Sequence, residues 1–418
     1  MLESARSSRS VAAVTIDETL RRGAGVRRLA RLLALTYGLT IANLYYCQPL
    51  LPRMAESYPM SSAVVHLTTA GQLGYVMGLV LVVPLGDIVR RRRLVCVLLL
   101  VEAAALAATA MAPTVTVLLV AGAVIGMASA SVVNVLVAYT AAVAADHERG
   151  RVIATVVGGG LMGVLLSRTV AGLGAEVVGW RGVFWAAAAV TLLLSAALLG
   201  ILAPSPPETS IGYTRQLRAT ARLLRTEPVL RRRSLIGGCV FASFGVFWAT
   251  VAFLLAGPPY GYGEGQIGLF ALVGVIGTLA ARVAGRAADR GRQHAATGLL
   301  LALGVAAFVA LSAGTDELAW IVAGLVAMDV AISGTHMLNL SVVHGLVDTA
   351  RSRVAAAYMT CYTLGGVLGS ATGNAVYRVG GWTAVCVLGA AFMAAGLTAW
   401  AFDHRIRGIL WSRGGGGR

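Results

Sequence analysis

Long apolar stretches alternate with short arginine-rich segments along most of the chain. A helix needs about 20 apolar residues to cross the roughly 30 Å hydrocarbon core of a bilayer. Twelve stretches meet this requirement, and we number them spans 1 to 12 in chain order. They lie at 31–51, 66–86, 94–112, 115–140, 152–176, 182–203, 234–256, 266–288, 295–313, 317–344, 354–377 and 382–402. The pattern predicts an all-α polytopic membrane protein with twelve transmembrane helices.

The sequence repeats itself with a constant offset of 202 residues. The pairs that match are Asp87 with Asp289, Asp146 with Asp348, Arg149 with Arg351, Arg151 with Arg353, Gly163 with Gly365, Gly179 with Gly381, and Trp180 with Trp382. An internal repeat indicates two copies of one structural unit. Because each copy holds an even number of spans, both share one orientation. We predict two parallel-repeat six-helix bundles at 31–203 and 234–403, a cytoplasmic linker at 204–233, and cytoplasmic tails at 1–30 and 404–418.

Composition and charge agree with this reading. The chain is 57% hydrophobic and 12% charged, with a mean hydropathy of +0.78. All 34 basic residues are Arg, and most lie in the tails or in the loops after even-numbered spans. The positive-inside rule therefore predicts a multi-pass protein of the cell inner (plasma) membrane with both termini in the cytoplasm. Arginines that border a membrane account for the net charge of +16 without a nucleic-acid partner.

The linker and the cysteines suggest structural roles. Arg215, Arg218, Arg222 and Arg225 recur at helical spacing, which predicts an interfacial helix between the two halves. The five cysteines lack metal-site spacing, and we interpret them as small packing residues. Walker-type phosphate loops and hydrolase motifs do not occur in the sequence. We expect no cofactor, no metal and no enzymatic activity.

The duplicated loops resemble the signature loops of the major facilitator superfamily. Pro84-Leu85-Gly86-Asp87 with Arg90 to Arg93 follows span 2, and the segment 285–292 follows span 8. The segments 146–151 and 348–353 resemble the acidic–basic loops before spans 5 and 11. The segment 43–52 is similar to one in a bacterial branch of drug and metabolite exporters. Over residues 31–403, the resemblance implies a monomeric secondary carrier in the lipid bilayer that works by alternating access.

The resemblance further implies that the loop residues form a cytoplasmic gate, comprising Asp87, Arg91, Arg149, Asp289, Arg290 and Arg351. Carboxylates are stabilised beside guanidinium groups and at helix N-termini. An Asp–Arg pair could therefore hold the halves together in one conformation; the alternative is a static cap on the loop. The first loop departs from the family pattern at Val83 and Arg90, where Gly is usual. Span 5 has a Gly-rich segment at 158–163 without the Pro of antiporter branches, so it does not by itself establish antiport.

Polar residues without a counterpart in the other copy are candidates for handling substrate and ions. Asp329 in span 10 corresponds to Met127 and lies about 18 Å into its span, near the bilayer midplane. An ionised carboxyl is costly at that depth, and burial favours its neutral form. We predict that Asp329 carries the coupling proton. The alternatives are a hydrogen bond between helices and direct contact with substrate.

Three further ionisable residues have no counterpart in the other copy of the repeat. Arg168 in span 5 lies about 24 Å from the cytoplasmic end, and could face the cavity, snorkel outward or join an outer gate. If it faces the cavity, Arg168 could pair with an anionic group of the substrate or with Asp329. The estimated depths of Arg168 and Asp329 in the membrane differ, which argues against a direct pair between them. Glu102 in span 3 is interpreted as a structural partner, and Arg282 as a snorkelling residue.

Aromatic and polar side chains on the expected cavity-lining spans complete the prediction. The proposed substrate cavity comprises Tyr45, Tyr46, Gln48, Asn134, Arg168, Phe247, Trp248, His336 and Asn339. Such a lining suits an amphipathic or apolar organic molecule, including a lipophilic amine; the alternative is that about half of the aromatics pack against neighbouring helices. We predict proton-coupled efflux of a drug or metabolite. A proton symporter or uniporter that imports a nutrient is the alternative, and a non-transporting receptor is a third reading.

Overall fold

The computed structural model describes residues 28–144, 148–202, 213–274, 293–346 and 351–414, apart from the side chains of residues 87, 216, 219, 220, 351, 352 and 403–414. Every regular element in these ranges is helical. The α-helices of the first half are 28–43, Cys47–Glu56, Leu67–Met77, Arg91–Met111, Val115–Val143 and Arg149–Ile201. Those of the second half are Pro228–Ala256, Glu264–Phe270, Gln293–Ala313, Leu318–His344 and Arg351–Gly414, and Tyr213–Thr226 precedes them. A short 3₁₀ helix, Ser62–His66, precedes span 2, and the second half of span 2 contains the π-helix Gly78–Val82 and the 3₁₀ helix Val83–Asp87.

Eight helical segments of the described chain are long and apolar enough to cross a membrane. Two of them, Arg149–Ile201 and Arg353–Phe402, have 53 and 50 residues and each contains two predicted spans. The membrane-length prediction is thus confirmed for spans 2 to 7 and 9 to 12. Span 1 is broken into two helices, and the described part of span 8 ends at residue 274.

A single glycine divides each of the two longest helices. Gly179 has φ 71° and Gly381 has φ 62°, and these two positions match in the repeat. A side chain would be strained in this left-handed conformation, whereas glycine adopts it readily. The chain therefore turns at one residue between spans 5 and 6 and between spans 11 and 12, where the sequence predicted loops of several residues.

Span 1 corrects the prediction of one continuous helix over 31–51. A turn at 44–46 separates the helix 28–43 from Cys47–Glu56. Proline lacks the amide hydrogen for a helical bond, and its ring clashes with the carbonyl four residues earlier. For Pro49 that carbonyl belongs to Tyr45, and it accepts a bond from the Gln48 amide at 3.1 Å instead. The corresponding span 7 is one unbroken helix, Pro228–Ala256.

Equivalent hydrogen bonds show that the two halves fold alike. The Tyr58 hydroxyl donates to the carbonyl of Ala112 at 2.7 Å. The Tyr260 hydroxyl donates to the carbonyl of Gly314, also at 2.7 Å. Donors and acceptors are separated by the same offset of 202 residues that relates the signature loops. The two copies therefore share fine structure as well as topology.

Each half has its own apolar interior. Phe184, Leu106 and Leu50 contribute to one cluster of the first half, whereas Phe308 and Trp382 belong to the main cluster of the second. The linker contains the predicted helix at Tyr213–Thr226, and the Tyr213 hydroxyl donates to the carbonyl of Leu81 at 2.7 Å. Span 7 begins at Pro228, several residues before its predicted start. The placement of the linker helix at a membrane surface stays a prediction.

The halves meet at the end of the bundle formed by residues 53–62, 176–181 and 257–264. The predicted topology places this end outside the cytoplasm, and we term it the outer end. Thr169 Oγ1 donates to the carbonyl of Gly268 at 2.8 Å, joining spans 5 and 8. Thr69 Oγ1 donates to Ser370 Oγ at 3.0 Å, joining spans 2 and 11. These contacts close the molecule on one side of the residues described next.

Candidate functional site

Arg168 lies at the boundary between the halves and is buried, with 4% of its surface exposed. Its Nε donates to Gln48 Oε1 at 2.6 Å, and its Nη1 donates to the carbonyl of Val164 at 3.2 Å. Its Cζ lies 3.9 Å from the centroid of the Trp248 ring and 5.0 Å from that of Tyr45. Spans 1, 5 and 7 therefore converge on one cation. This buried position argues against snorkelling outward, and the choice between a cavity role and an outer gate stays a prediction.

Asp329 lies near the middle of Leu318–His344, about 17 Å from its start, with 7% of its surface exposed. A Cβ atom on Gly274 of span 8 would lie 2.6 Å from Asp329 Oδ2, so the carboxyl fills the space that this glycine leaves. Within the described residues it forms no hydrogen bond and no ion pair. Arg168 attracts it electrostatically, over a distance longer than that of an ion pair. Asp329 thus faces the protein interior without a fixed partner.

Aromatic rings extend from Trp248 along the second half. Phe244 lies 6.0 Å from Trp248 between ring centroids, and Phe241 lies 5.2 Å from Phe244. Tyr362 stacks on Phe241 at 4.2 Å, and His336 lies 4.4 Å from Tyr362. Spans 7, 10 and 11 therefore share an aromatic wall that connects the Arg168 region with His336.

The other predicted cavity residues make contacts of their own, and their place in the cavity stays a prediction. Tyr46 packs in the interior of the first half, and Phe247 packs in that of the second, 6.0 Å from Trp382. Asn134 donates to the carbonyl of Ala130 in its own helix at 2.8 Å. Asn339 is buried and accepts a hydrogen bond from Arg233 Nη1 at 3.1 Å. The turn in span 1 has no counterpart in span 7, and the two halves present different members of their aromatic pairs to Arg168.

The predicted gate is only partly within the described residues. Asp289 and Arg290 lie outside them, as do the side chains of Asp87 and Arg351. Arg149 is exposed. Arg91 is buried, and it donates to the carbonyls of Gly86 at 3.2 Å and Ala138 at 3.3 Å. These two bonds tie the loop after span 2 to span 4 of the same half. The proposed gating by the other residues stays a prediction.

Glu102 is fully buried in the first half, as its structural reading requires. Its Oε1 accepts hydrogen bonds from Asn43 Nδ2 at 2.9 Å and from Ser129 Oγ at 2.8 Å. Asn43 Nδ2 also lies 3.3 Å from Thr191 Oγ1. The carboxyl group therefore connects spans 1, 3, 4 and 6, and the connection reaches span 1 directly beside its turn.

The sequence analysis did not predict four residues of the site, namely Phe241, Phe244, Tyr362 and Gly274. Phe241, Phe244 and Trp248 are spaced three and four residues apart, which places them on one face of a helix. That spacing could have revealed the wall. Nothing in the sequence pairs Gly274 with Asp329, or Arg168 with Trp248, because these contacts join distant spans. The described residues contain no group of three or more His, Cys, Asp or Glu that could hold a metal ion.

Comparison with known proteins identifies the family. The sequence model described as Major Facilitator Superfamily matches residues 33–370. The chain belongs to the major facilitator superfamily. It is therefore a membrane-embedded transporter with the fold of this superfamily, and it is not an enzyme. The resemblance seen in the signature loops is confirmed.

Named relatives of the superfamily agree. The chain is 38% identical over 370 residues to the uncharacterized transporter YgaY of Escherichia coli O157:H7, covering 88% of this chain and 94% of that protein. Among solved structures, the nucleoside transporter NupG superposes with a TM-score of 0.72 at 14% identity, covering 90% of this chain and 98% of NupG. A bacterial homologue of the human lysosomal transporter Spinster, in an inward-facing and occupied conformation, gives a TM-score of 0.70 at 14% identity, with 90% and 94% covered. At such identities the structures establish the fold of the superfamily alone.

Proposed function

We propose that this transporter couples the movement of a small organic molecule to protons, and that Asp329 binds the coupling proton. The observation that carries the proposal is the position of Asp329: an unrepeated carboxyl, mid-helix, buried and without a hydrogen-bond partner among the described residues. A carboxyl that served to join helices would have such a partner. We further propose that the protein works as a monomer in the bacterial inner membrane with both termini in the cytoplasm.

The physical reason is the cost of an ionised carboxyl in an apolar interior. An unpaired charge there is strongly disfavoured, so the group is either neutral or beside a countercharge. Arg168 is a countercharge that attracts Asp329 without forming an ion pair with it, and it lies on the opposite half of the molecule. When the halves move, the attraction between Arg168 and Asp329 changes. Such a change favours proton uptake in one conformation and proton release in the other.

Export is the direction that the exporter-like segment at 43–52 favours, and it requires the proton and the substrate to displace each other. The second candidate is co-transport, in which both move together. It is supported by the buried guanidinium of Arg168, which Asp329 influences electrostatically, because an anion bound to Arg168 is favoured when Asp329 is neutral. The two candidates predict opposite directions of proton movement for the same substrate gradient.

Reconstituted vesicles with the pH dye pyranine inside would test the proposal. A panel of organic anions, cations and neutral solutes is added outside, and the pH change inside is recorded for each. For any solute that gives a signal, we expect Asp329→Asn to reduce pH-driven accumulation to the rate without a gradient while exchange of labelled for unlabelled solute continues. The sign of the pH change separates export by exchange from co-transport.

Asp316→Asn is the matched control, because Asp316 is an exposed carboxylate just before the same helix. It should leave both rates unchanged. Retained pH-driven accumulation in Asp329→Asn would remove Asp329 from the coupling step.

A further inference from the structure

Arg168 is fixed on two of its nitrogen atoms and has no partner on the third. Gln48 and Val164 accept hydrogen bonds from Nε and Nη1. Nη2 is buried and has no hydrogen-bond partner in the described chain. Because the guanidinium is planar and its donors have fixed directions, the two bonds that are made determine where Nη2 points. Arg168 is therefore a cation positioned in advance, with one donor group left over.

A second buried donor without a partner belongs to the opposite half. Trp248 has 5% of its surface exposed, and its Nε1 has no hydrogen-bond partner in the same described ranges. An indole N–H can only donate. The Trp248 ring covers the Arg168 guanidinium at 3.9 Å, so the two donors are neighbours across the boundary between the halves. Buried polar groups are nearly always paired, and two unpaired donors side by side need an explanation.

We propose that Arg168 Nη2 and Trp248 Nε1 together recognise the carboxylate of a transported organic anion. A carboxylate has two acceptor oxygens and one negative charge, and it matches a cationic donor beside a neutral one. It would bond to both halves at once, as a ligand that controls their relative motion must. The inference deepens the proposed function and rests on it in one respect: the Arg168 region is taken to be the transport site.

The surroundings indicate the rest of the anion. The rings of Phe244, Phe241 and Tyr362 continue from Trp248 at centroid distances between 4.2 and 6.0 Å. Apolar and aromatic walls around a few fixed polar groups are typical of sites for organic ligands. The favoured substrate is a carboxylate on an aromatic or apolar body. A simple inorganic anion would leave these rings without contact.

Asp329 sets the condition for binding. An ionised Asp329 competes with the ligand for the positive charge of Arg168, and it repels a second carboxylate nearby. A neutral Asp329 does neither, so the anion and the proton bind together, as the co-transport candidate requires. The other titratable groups close to this pair are Tyr45, Cys47 and Tyr362.

Three small probes of one shape provide the test: benzoate, benzamide and benzamidine, which carry negative, zero and positive charge. Their affinities for the full-length protein in detergent are measured by calorimetry, without a gradient. We expect benzoate to bind at least about tenfold more tightly than the other two, because it alone accepts charge-assisted hydrogen bonds. Arg168→Gln should weaken benzoate by a similar factor, and Asp329→Asn should preserve or strengthen it.

Arg181→Gln is the control. Arg181 lies outside the site, and its guanidinium stacks on the Trp180 ring with a Cζ–centroid distance of 4.2 Å. The substitution should therefore leave benzoate binding unchanged. If Arg168→Gln does not fold, Trp248→Phe removes the indole N–H alone and should weaken benzoate by about threefold or more. Unchanged benzoate affinity in the folded site variants, or a preference for benzamidine, would overturn the proposal. Because binding is measured at equilibrium, a failure of proton coupling at Asp329 would not produce either result.

Discussion

Glu102 shows how one buried carboxyl shapes the site from a distance. It does not contact the Arg168 region, yet it accepts a hydrogen bond from Asn43, the residue before the turn in span 1. Two and five positions further on, Tyr45 and Gln48 contact Arg168. Loss of the bond at Asn43 would free the turn that orients both side chains. We therefore expect Glu102 to act as a positioning residue for the site.

Substitution of Glu102 should distinguish its hydrogen bonds from its charge. Glu102→Ala removes one acceptor each from Asn43 and Ser129, which keep Thr191 Oγ1 and the carbonyl of Thr40 as acceptors, at a cost of about 0.5–1.5 kcal/mol for each lost bond. Glu102→Gln keeps an acceptor oxygen and should stay close to the wild type. Thermal unfolding in detergent measures both. An equally large loss in Glu102→Gln would mean that the charge matters more than the two bonds.

At the scale of helices, glycines decide which spans approach closely. A Cβ atom on Gly163 of span 5 would overlap the backbone of Gly38 in span 1. One on Gly365 of span 11 would overlap the backbone of Gly238 in span 7. Gly163 and Gly365 are partners in the repeat, so the same pair of spans packs through glycine in both halves. Small residues allow this contact between helices in lipid.

The Gly-rich segment of span 5 contains a matched pair for testing this packing. Gly163→Ala should destabilise the protein by about 1–3 kcal/mol or more, because the added methyl meets backbone atoms that cannot move aside. Gly158→Ala meets no atom within 4 Å, and should be neutral or stabilise by up to about 1 kcal/mol through helix propensity. The temperature of unfolding in detergent reports the difference. Similar values for the two variants would argue against close packing of spans 1 and 5.

For the whole molecule, the main feature is closure between the halves at the outer end. In addition to the bonds of Thr69 and Thr169, Asn374 Nδ2 donates to the carbonyl of Val65 at 2.7 Å. The Gly265 amide donates to Glu176 Oε1 at 3.2 Å, and Arg53 lies 3.6 Å from Glu264. These contacts are few, and most consist of one hydrogen bond between two segments, so they can break and reform. Alternating access requires them to separate in each transport cycle.

Cross-linking of the outer end should therefore stop transport. In a variant with the native cysteines replaced by serine, Thr69→Cys and Ser370→Cys place two thiols where hydroxyl oxygens lie 3.0 Å apart. We expect oxidation to join them, to abolish transport in vesicles, and to be reversed by a reductant. Each single-cysteine variant serves as the control and should keep its activity under oxidant. Full transport by the cross-linked protein would contradict movement of the halves at this end.

The sequence predicted the helices of the protein better than it predicted the site. The apolar stretches predicted the helices, and the offset of 202 residues predicted the duplicated halves. Both signals can be read from the order of residues alone. The turn in span 1 was missed, although Pro49 was visible, since proline in a membrane helix is often accommodated. Asp329 and Arg168 were singled out because the matching residues of the other copy are not ionisable, and both side chains are buried in the structure. Tyr46 and Phe247 were predicted to line the cavity because they lie on spans expected to face it, and in the structure they pack in the apolar clusters of the two halves.

The sequence by itself determined the membrane environment, the duplication, the superfamily and the few unrepeated ionisable groups, because each follows from residue types and their spacing. Only the tertiary structure decided that Arg168 meets Trp248 across the boundary, that Gly274 makes room for Asp329, and that two buried donors have no partner in the described chain. The physical reason is geometric. Which face of a helix meets which neighbour depends on the rotation and tilt of spans far apart in sequence, and hydropathy carries no record of that angle.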